Sequence, residues 1–135
     1  MALSDFPFSP TRGLADLLGI AFEEVEPERV VATMPVTPDH HQPLGYLHGG
    51  ASVVLAETVA SVGATAGALP DKVAFGLEIN ANHIRPKQSG TLRAVGERLH
   101  AGRTTQVWQV RITDEDDKLV CVSRCTLALV DADRR

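Results

Sequence analysis

The sequence predicts an α+β fold in which one long helix is wrapped by a curved, mainly antiparallel sheet. Residues 48–68 contain no proline and are apolar on all sides, which is typical of a buried helix. Four strand-like segments separated by short turns follow it, and short turns join antiparallel neighbours. A helix that is apolar all round needs cover on most sides, which a curved sheet supplies.

Two shorter units are predicted before the long helix. Residues 11–18 lie between a proline and a glycine and carry three leucines on one side, which predicts a short amphipathic helix. Residues 20–26 and 29–36 predict a hairpin. The second of these strands has an apolar row made of Val30, Ala32, Met34 and Val36. Residues 37–46 contain two prolines and predict a loop, in which we expect His40 and His41 to be solvated.

The strands after the helix are predicted from alternating apolar residues. The first has the row Val73, Phe75, Leu77, Ile79 and Ala81. Residues 91–99 and 105–113 predict a second hairpin, with Trp108 in the core, and residues 118–130 predict a last strand that is apolar on both sides.

Cys121 and Cys125 stand four residues apart in that last strand. On one face of a strand this spacing separates them by roughly 13 Å, which is too far for a disulfide. We therefore expect two buried thiols that pack as small apolar side chains.

Composition sets the broad class. The 135 residues predict a single domain, 1–135, and 44% hydrophobic with 22% charged residues is ordinary for a soluble protein. A net charge of −4 without an aromatic and basic patch argues against a nucleic-acid partner. The first residues lack the features of a signal peptide, so we expect a cytoplasmic protein.

Glu57 is the only charged residue of the long helix. It lies mid-stretch beside hydroxyl residues and without basic flanks, which argues against a membrane span. A carboxylate in an apolar helix is costly unless the fold or the function requires it. Glu57 is therefore either an exposed or partnered structural acid or, as we favour, a catalytic carboxylate.

The helix opens with His48, Gly49 and Gly50. The first turn of a helix has unpaired N–H groups and a positive dipole end, and glycine lets a ligand approach the backbone closely. The Gly49 amide, with Gly50 near it, is thus a candidate oxyanion hole for a substrate carbonyl. Glycines are also common at the start of a helix without any role in function. His48 either orients neighbouring groups or only caps the helix.

Seven residues separate Gly50 from Glu57, about 10 Å along a helix axis. One reacting carbon cannot lie within hydrogen-bond distance of both in one chain. If both act on it, they come from two chains with antiparallel helices, so we expect the site to straddle a two-fold dimer interface.

Three segments closely resemble the hotdog-fold acyl-CoA thioesterases: residues 42–61, 76–85 and 100–109. The resemblance extends over about residues 10–130 and is greatest to the branch of 1,4-dihydroxy-2-naphthoyl-CoA thioesterases of quinone pathways and aryl-CoA thioesterases. Phenylacetate-pathway relatives usually carry Asp where Glu57 stands, and they remain the alternative branch.

The resemblance implies hydrolysis of an aromatic acyl-CoA, such as a 1,4-dihydroxy-2-naphthoyl or hydroxybenzoyl thioester, to the free acid and CoA. Glu57 then attacks the carbonyl or activates water as a general base. Gln42 can hydrogen-bond this water or the thioester, unless it only caps a turn. Ser61 lies one turn after Glu57 on the same helix face and can contact the acyl group or water.

Two groups of residues are candidates for binding the CoA phosphates. His83 and Arg85 lie at a strand end, and a turn contains His100, Ala101, Gly102 and Arg103. Surface ion pairs are the alternative role for the two arginines. We expect no metal, because the histidines share no ligand spacing with acids, and no cofactor apart from the CoA of the substrate.

The family also implies that dimers pair into a homotetramer. Two other functions remain open from the sequence, a non-catalytic acyl-CoA-binding protein and a hotdog hydratase. Hydratase sites use a His and Asp pair, whereas the acid here stands far along the helix from His48.

Overall fold

In the computed structural model, which describes residues 1–134, six antiparallel strands form one sheet and a 20-residue helix packs against it. The elements are α1 (Leu14–Leu17), β1 (Ala21–Glu26), β2 (Arg29–Val36), α2 (Gly49–Ala68), β3 (Lys72–His83), β4 (Gly90–Ala101), β5 (Thr105–Thr113) and β6 (Leu119–Asp131). Short 3₁₀ turns occupy Leu3–Asp5, Pro38–His40 and Ala132–Arg134.

The sheet curves around α2. Its strand order is β1-β2-β4-β5-β6-β3, and α2 contacts all six strands. A flat sheet of six strands is about 24 Å wide, more than twice the helix diameter of about 10 Å, so contact with all six requires curvature. The predicted α+β hotdog architecture is confirmed.

The strand β3 lies at an edge of the sheet. Although only a short turn joins it to β4, it pairs with β6, whereas β4 lies between β2 and β5. The long helix carries the chain from β2 towards the opposite edge, and β6 comes back to fill the position beside β3.

Trp108 sets the distance between the helix and the sheet. Its side chain is fully buried, as predicted, and its indole N–H donates to Gln106 Oε1 at 2.8 Å. A Cβ atom on Gly63 of α2 would lie 2.2 Å from the indole ring, and one on Gly96 of β4 would lie 3.4 Å from it. Two glycines therefore form the recess that receives this side chain.

The predicted apolar row of β2 and the predicted thiols are confirmed. The row is fully or almost fully buried, and both cysteines are free and buried. Burial raises the pKa of Cys121, and burial together with the charges of Glu57 and Glu78 raises the pKa of Cys125 to about 12. Both thiols stay protonated at neutral pH, which suits a packing role.

The predicted apolar row of β3 is partly wrong. Ile79 packs against the core, but Phe75 and Leu77 are 53% and 62% exposed. The pairing with β6 shifts between Gly76 and Glu78, and this bulge inserts one extra residue. The strict two-residue alternation is broken there, so the row does not stay on one face of the strand.

The predicted helix over residues 11–18 is reduced to one turn, Leu14–Leu17. Its leucines do not face the core as an amphipathic helix requires, because Leu14 and Leu17 are 52% and 78% exposed. Ala15 is buried in their place, and Leu18 follows the helix and packs against the core.

The expected exposure of His40 is also wrong. Its ring is buried, with Nε2 2.7 Å from the Leu18 carbonyl and Nδ1 2.9 Å from Thr37 Oγ1. His41, only partly buried, bonds the Gln88 carbonyl at 2.8 Å. The two histidines fasten the loop that delivers the chain to α2.

By length and composition alone, α2 resembles a membrane span. Of the 18-residue window that meets this criterion, 56% is buried inside the fold, and the core helix of a soluble protein meets the same criterion.

Candidate active site

The first turn of α2 leaves one amide N–H without an acceptor. His48 is the N-cap: its Nδ1 accepts from the Gly50 N–H at 2.8 Å, and its carbonyl accepts from the Ala51 N–H at 3.0 Å. The Gly49 N–H has no acceptor among residues 1–134. Gly49 therefore offers the free donor that the proposed oxyanion hole requires, whereas the N–H of the neighbouring Gly50 is occupied by the cap.

Gly49 lines a cleft of about 580 Å³. Its walls come from the loop before α2, the first turn of α2 and the end of β3: Gln42, Tyr46, Leu47, Gly49, Ser52, His83, Ile84, Arg85, Pro86 and Val120. Gln42 accepts the Leu44 N–H through Oε1, so it does cap a turn. The two N–H donors of its amide have no acceptor in the described chain and remain available to a ligand.

The imidazole of His83 lies against Gly49. A Cβ atom on Gly49 would be 2.7 Å from His83 Nε2, so only glycine leaves both the ring and the N–H in place. We expected His83 beside the CoA phosphates, and the structure brings it to the proposed oxyanion donor. The sequence predicted that His83 lies at the end of a strand, but it did not show that the start of α2 lies beside this strand end.

Ser52 is a site residue that sequence analysis missed. It is fully buried, lines the Gly49 cleft, and its Oγ has no hydrogen-bond partner within residues 1–134. A buried hydroxyl without a partner is costly. Its spacing of three residues from Gly49 was the available signal, because that spacing puts both on one helix face.

Glu57 lines a different cleft, of about 240 Å³, with Ser61 one turn further along α2. The carboxylate lies against the edge strand, where a Cβ atom on Gly76 would be 3.0 Å from Glu57 Oε1. Gly76 was also missed, although a glycine within a strand often marks a close approach. The two clefts share no residue, so one chain does not bring Gly49 and Glu57 together.

The two groups of candidate phosphate donors lie at opposite ends of β3. At its first residue, Lys72 Nζ donates to the Arg103 carbonyl at 3.5 Å, and at its last residue His83 lies against Gly49. Twelve strand residues span roughly 35 Å. Arg85 and Arg103 therefore do not form one binding surface within a single chain.

Arg85 lies near an acidic turn. The N–H of Lys118 lowers the pKa of Asp114 most, and the Asp116 N–H and the charges of Lys87 and Arg85 lower it further against the opposing effect of burial. Lys87 also forms an ion pair with Glu115 at 3.0 Å. These contacts fasten the segment that carries Arg85 to the β5–β6 turn.

Comparison with known proteins agrees with this geometry. The model of the thioesterase superfamily matches residues 44–121. A 1,4-dihydroxy-2-naphthoyl-CoA hydrolase of Listeria monocytogenes is 53% identical over 117 residues, which cover 87% of this chain and 95% of that protein. A proofreading thioesterase of Cronobacter sakazakii is 38% identical over 87% of this chain and 85% of its own length.

A solved structure gives the same result. The crystal structure of a mutant thioesterase of Pseudomonas aeruginosa superposes with a TM-score of 0.88 at 42% identity, covering 97% of this chain and 95% of that one. The long helix with its capped glycine start and single acid thus belongs to a chain whose relatives hydrolyse thioesters. The protein is a member of the thioesterase superfamily and a thioester hydrolase acting on acyl-CoA.

Proposed function

We propose that the protein hydrolyses an aromatic acyl-CoA of the 1,4-dihydroxy-2-naphthoyl or hydroxybenzoyl type to the free acid and CoA. The observation that carries the proposal is the free Gly49 N–H at the start of a helix whose one acid is Glu57. The printed name of the Listeria relative supports the naphthoyl group. The steps below use only groups of the chain and water.

The Gly49 N–H donates to the thioester oxygen and stabilises the negative charge that develops there. Glu57 takes a proton from water while the water oxygen bonds to the carbonyl carbon. The C–S bond then breaks, and the proton passes to the CoA sulfur. Alternatively, the Glu57 carboxylate attacks the carbonyl itself, and the C–S bond breaks to release the CoA thiolate, which takes a proton from water. Water then hydrolyses the resulting anhydride to the free acid and the Glu57 carboxylate. Gln42 and Ser61 orient water or substrate in either course.

Both steps require Gly49 and Glu57 at one carbonyl carbon. Their spacing of about 12 Å along α2 and their separate clefts favour a dimer in which each site takes Gly49 from one chain and Glu57 from its partner. The exposed edge strand β3, with Phe75 and Leu77, suits such an interface. Pairing of two dimers would give the homotetramer.

Mixed dimers test this arrangement. Glu57→Ala and Gly49→Pro are each expected to be inactive, whereas a co-refolded mixture regains about a quarter of wild-type activity, because half of the dimers carry one intact site. The backbone accepts proline at position 49, since His48 has the extended ψ of 130° that precedes proline, and the exposed His83 ring moves aside for the proline ring. An inactive mixture of two folded, dimeric parents would show that both residues serve one site from one chain.

Substrate class is tested by thiol release from a panel of thioesters. We expect hydroxynaphthoyl-CoA and hydroxybenzoyl-CoA to exceed phenylacetyl-CoA and fatty acyl-CoA in kcat/KM. Preference for phenylacetyl-CoA would favour the phenylacetate branch. Tight binding without turnover would favour an acyl-CoA-binding protein, and hydration of an enoyl-CoA would favour a hydratase.

A further inference from the structure

We infer that the N-terminal segment, residues 6–13, forms the pocket for the aromatic ring of the acyl group, and that Arg12 selects acyl groups with a ring oxygen. The inference rests on the proposed function, because it takes Glu57 as the group at the reacting carbon. It assigns the acyl half of the substrate to the chain that provides Glu57.

The first observation is an aromatic cleft of about 640 Å³. It lies between the N-terminal segment, α2 and the start of β3, and its apolar walls include Phe6, Phe8, Val62, Val73 and Phe75. Phe6 and Phe8 meet edge to face with centroids 5.8 Å apart. Phe75 is 53% exposed, so part of its side chain is available to a ligand in the cleft that it lines. A planar aromatic ring matches these walls.

The second observation is continuity with the Glu57 cleft. The aromatic cleft and the Glu57 cleft share Pro10, Arg12, Ser61 and Val62. Neither shares a residue with the cleft that contains Gly49, His83 and Arg85. A thioester bound at Glu57 can thus extend its acyl group into the aromatic cleft of that chain, while its CoA follows the Gly49 cleft of the other chain.

The third observation is the unpaired charge of Arg12. Its side chain lines both joined clefts, is exposed, and has no hydrogen bond or ion pair among residues 1–134. A guanidinium is a strong donor to hydroxyl, phenolate or carboxylate oxygens. Arg12 therefore lies where the two clefts join, so its guanidinium can donate to a hydroxyl oxygen on a ring bound there.

Recognition of the ring hydroxyl by Arg12 is tested with two thioesters that differ only in that group, 1-hydroxy-2-naphthoyl-CoA and 2-naphthoyl-CoA. Arg12→Ala is expected to lower kcat/KM for the hydroxylated thioester by about tenfold more than for the other. Arg12→Lys keeps the charge and is expected to restore part of the preference. An equal loss on both thioesters would overturn the role of Arg12.

The ring pocket is tested by Phe75→Ala. We expect kcat/KM for 2-naphthoyl-CoA to fall roughly tenfold relative to acetyl-CoA, because the lost wall touches only a large acyl group. Leu99→Ala is the matched control, since Leu99 is 51% exposed on β4 and lines neither cleft. If both variants change the naphthoyl to acetyl ratio equally, the ring does not bind in this cleft.

Mixed dimers assign the pocket to a chain. Phe75→Ala is added either to the Gly49→Pro chain, which provides Glu57 to the intact site, or to the Glu57→Ala chain. Naphthoyl-CoA hydrolysis is expected to fall only with the first placement, and a fall only with the second would overturn the assignment. An active Glu57→Gln enzyme would contradict the proposed function. If Glu57→Gln is inactive but the Arg12 and Phe75 variants keep the acyl preference of the wild type, only the ring pocket is contradicted.

Discussion

The first turn of α2 and its middle turns line two clefts that differ in chemistry. The first cleft offers donors: the free Gly49 N–H, the Gln42 amide, and the side chains of His83 and Arg85. The second contains the Glu57 carboxylate and opens into a cleft walled by three phenylalanines. Donors suit a thioester oxygen and phosphates, whereas a carboxylate beside aromatic walls suits the reacting carbon and an aryl group.

Neither region is a complete hydrolase site. The first has an oxyanion donor but no acid among its lining residues, and the second has the acid but no free helix-start amide. A single helix can therefore supply both halves of a site only when two copies of it lie antiparallel.

Removing the carboxylate should have the largest effect. Glu57→Gln keeps the size of the side chain but removes the base or nucleophile, and loss of general-base catalysis costs about 10²–10⁴-fold in kcat. Thiol release measures the loss, and a normal melting curve shows that the fold is intact. Glu97→Gln at an exposed position of β4 is the matched control and should keep normal turnover. Wild-type rates in Glu57→Gln would remove the second region from catalysis.

Gly63→Ala should lower the stability of the fold and disturb both clefts, because the added methyl group pushes α2 away from the sheet. The new Cβ atom would lie 2.2 Å from the buried Trp108 ring. Overpacking of this kind costs about 1–3 kcal/mol, against a helix-propensity gain of up to about 1 kcal/mol. Urea denaturation measures the change. Gly67→Ala, at an exposed position of the same helix, should alter stability less. Equal effects would mean that the helix can move away from Trp108.

Arg85→Ala should raise KM for acyl-CoA by roughly tenfold with little change in kcat, since phosphate contacts are nearly equal in ground and transition states. A truncated thioester without the nucleotide should be insensitive. Arg103→Ala tests whether Arg103, at the other end of β3, binds the phosphates of the same CoA. A rise in KM from both variants requires two chains around one nucleotide, and an effect on the truncated thioester would make these arginines structural.

Asp114→Asn should have the smallest effect, and it should depend on pH. The folded chain lowers the pKa of Asp114 below its ordinary 3.8, chiefly through the Lys118 N–H. The ionised carboxylate therefore stabilises the fold above pH 3.8, and this contribution is lost as the pH falls through the lower folded pKa. Melting temperatures should differ at pH 7, and the difference should shrink as the pH falls below 3.8. A constant difference would assign the effect to packing.

Much of the fold could be predicted because it depends on local patterns. The all-round apolar helix, the buried row of β2 and the core position of Trp108 follow from periodicity and composition. The spacing of Gly49 and Glu57 along one helix also predicted that a single chain cannot bring them together. Helix rise is a fixed property of the backbone, so the eight residues from Gly49 to Glu57 give the same distance in any fold.

Other features depended on contacts between distant segments. The bulge at Leu77 moves the apolar row of β3 from one face of the strand to the other, and the pairing of β3 with β6 sets the sheet edge. A long-range hydrogen bond to the Leu18 carbonyl holds the buried His40. The sequence around these residues does not predict the bulge, the edge position of β3 or the burial of His40, because each depends on a partner far away in the chain.

The sequence by itself determined the long helix, its glycine start and its single acid, because these are consecutive residues whose geometry the helix dictates. Only the tertiary structure decided that His83 lies against Gly49, that Gly76 faces Glu57, and that the N-terminal phenylalanines join the Glu57 cleft. Those contacts join segments that are separated by tens of residues, and only the completed sheet brings them together around the helix.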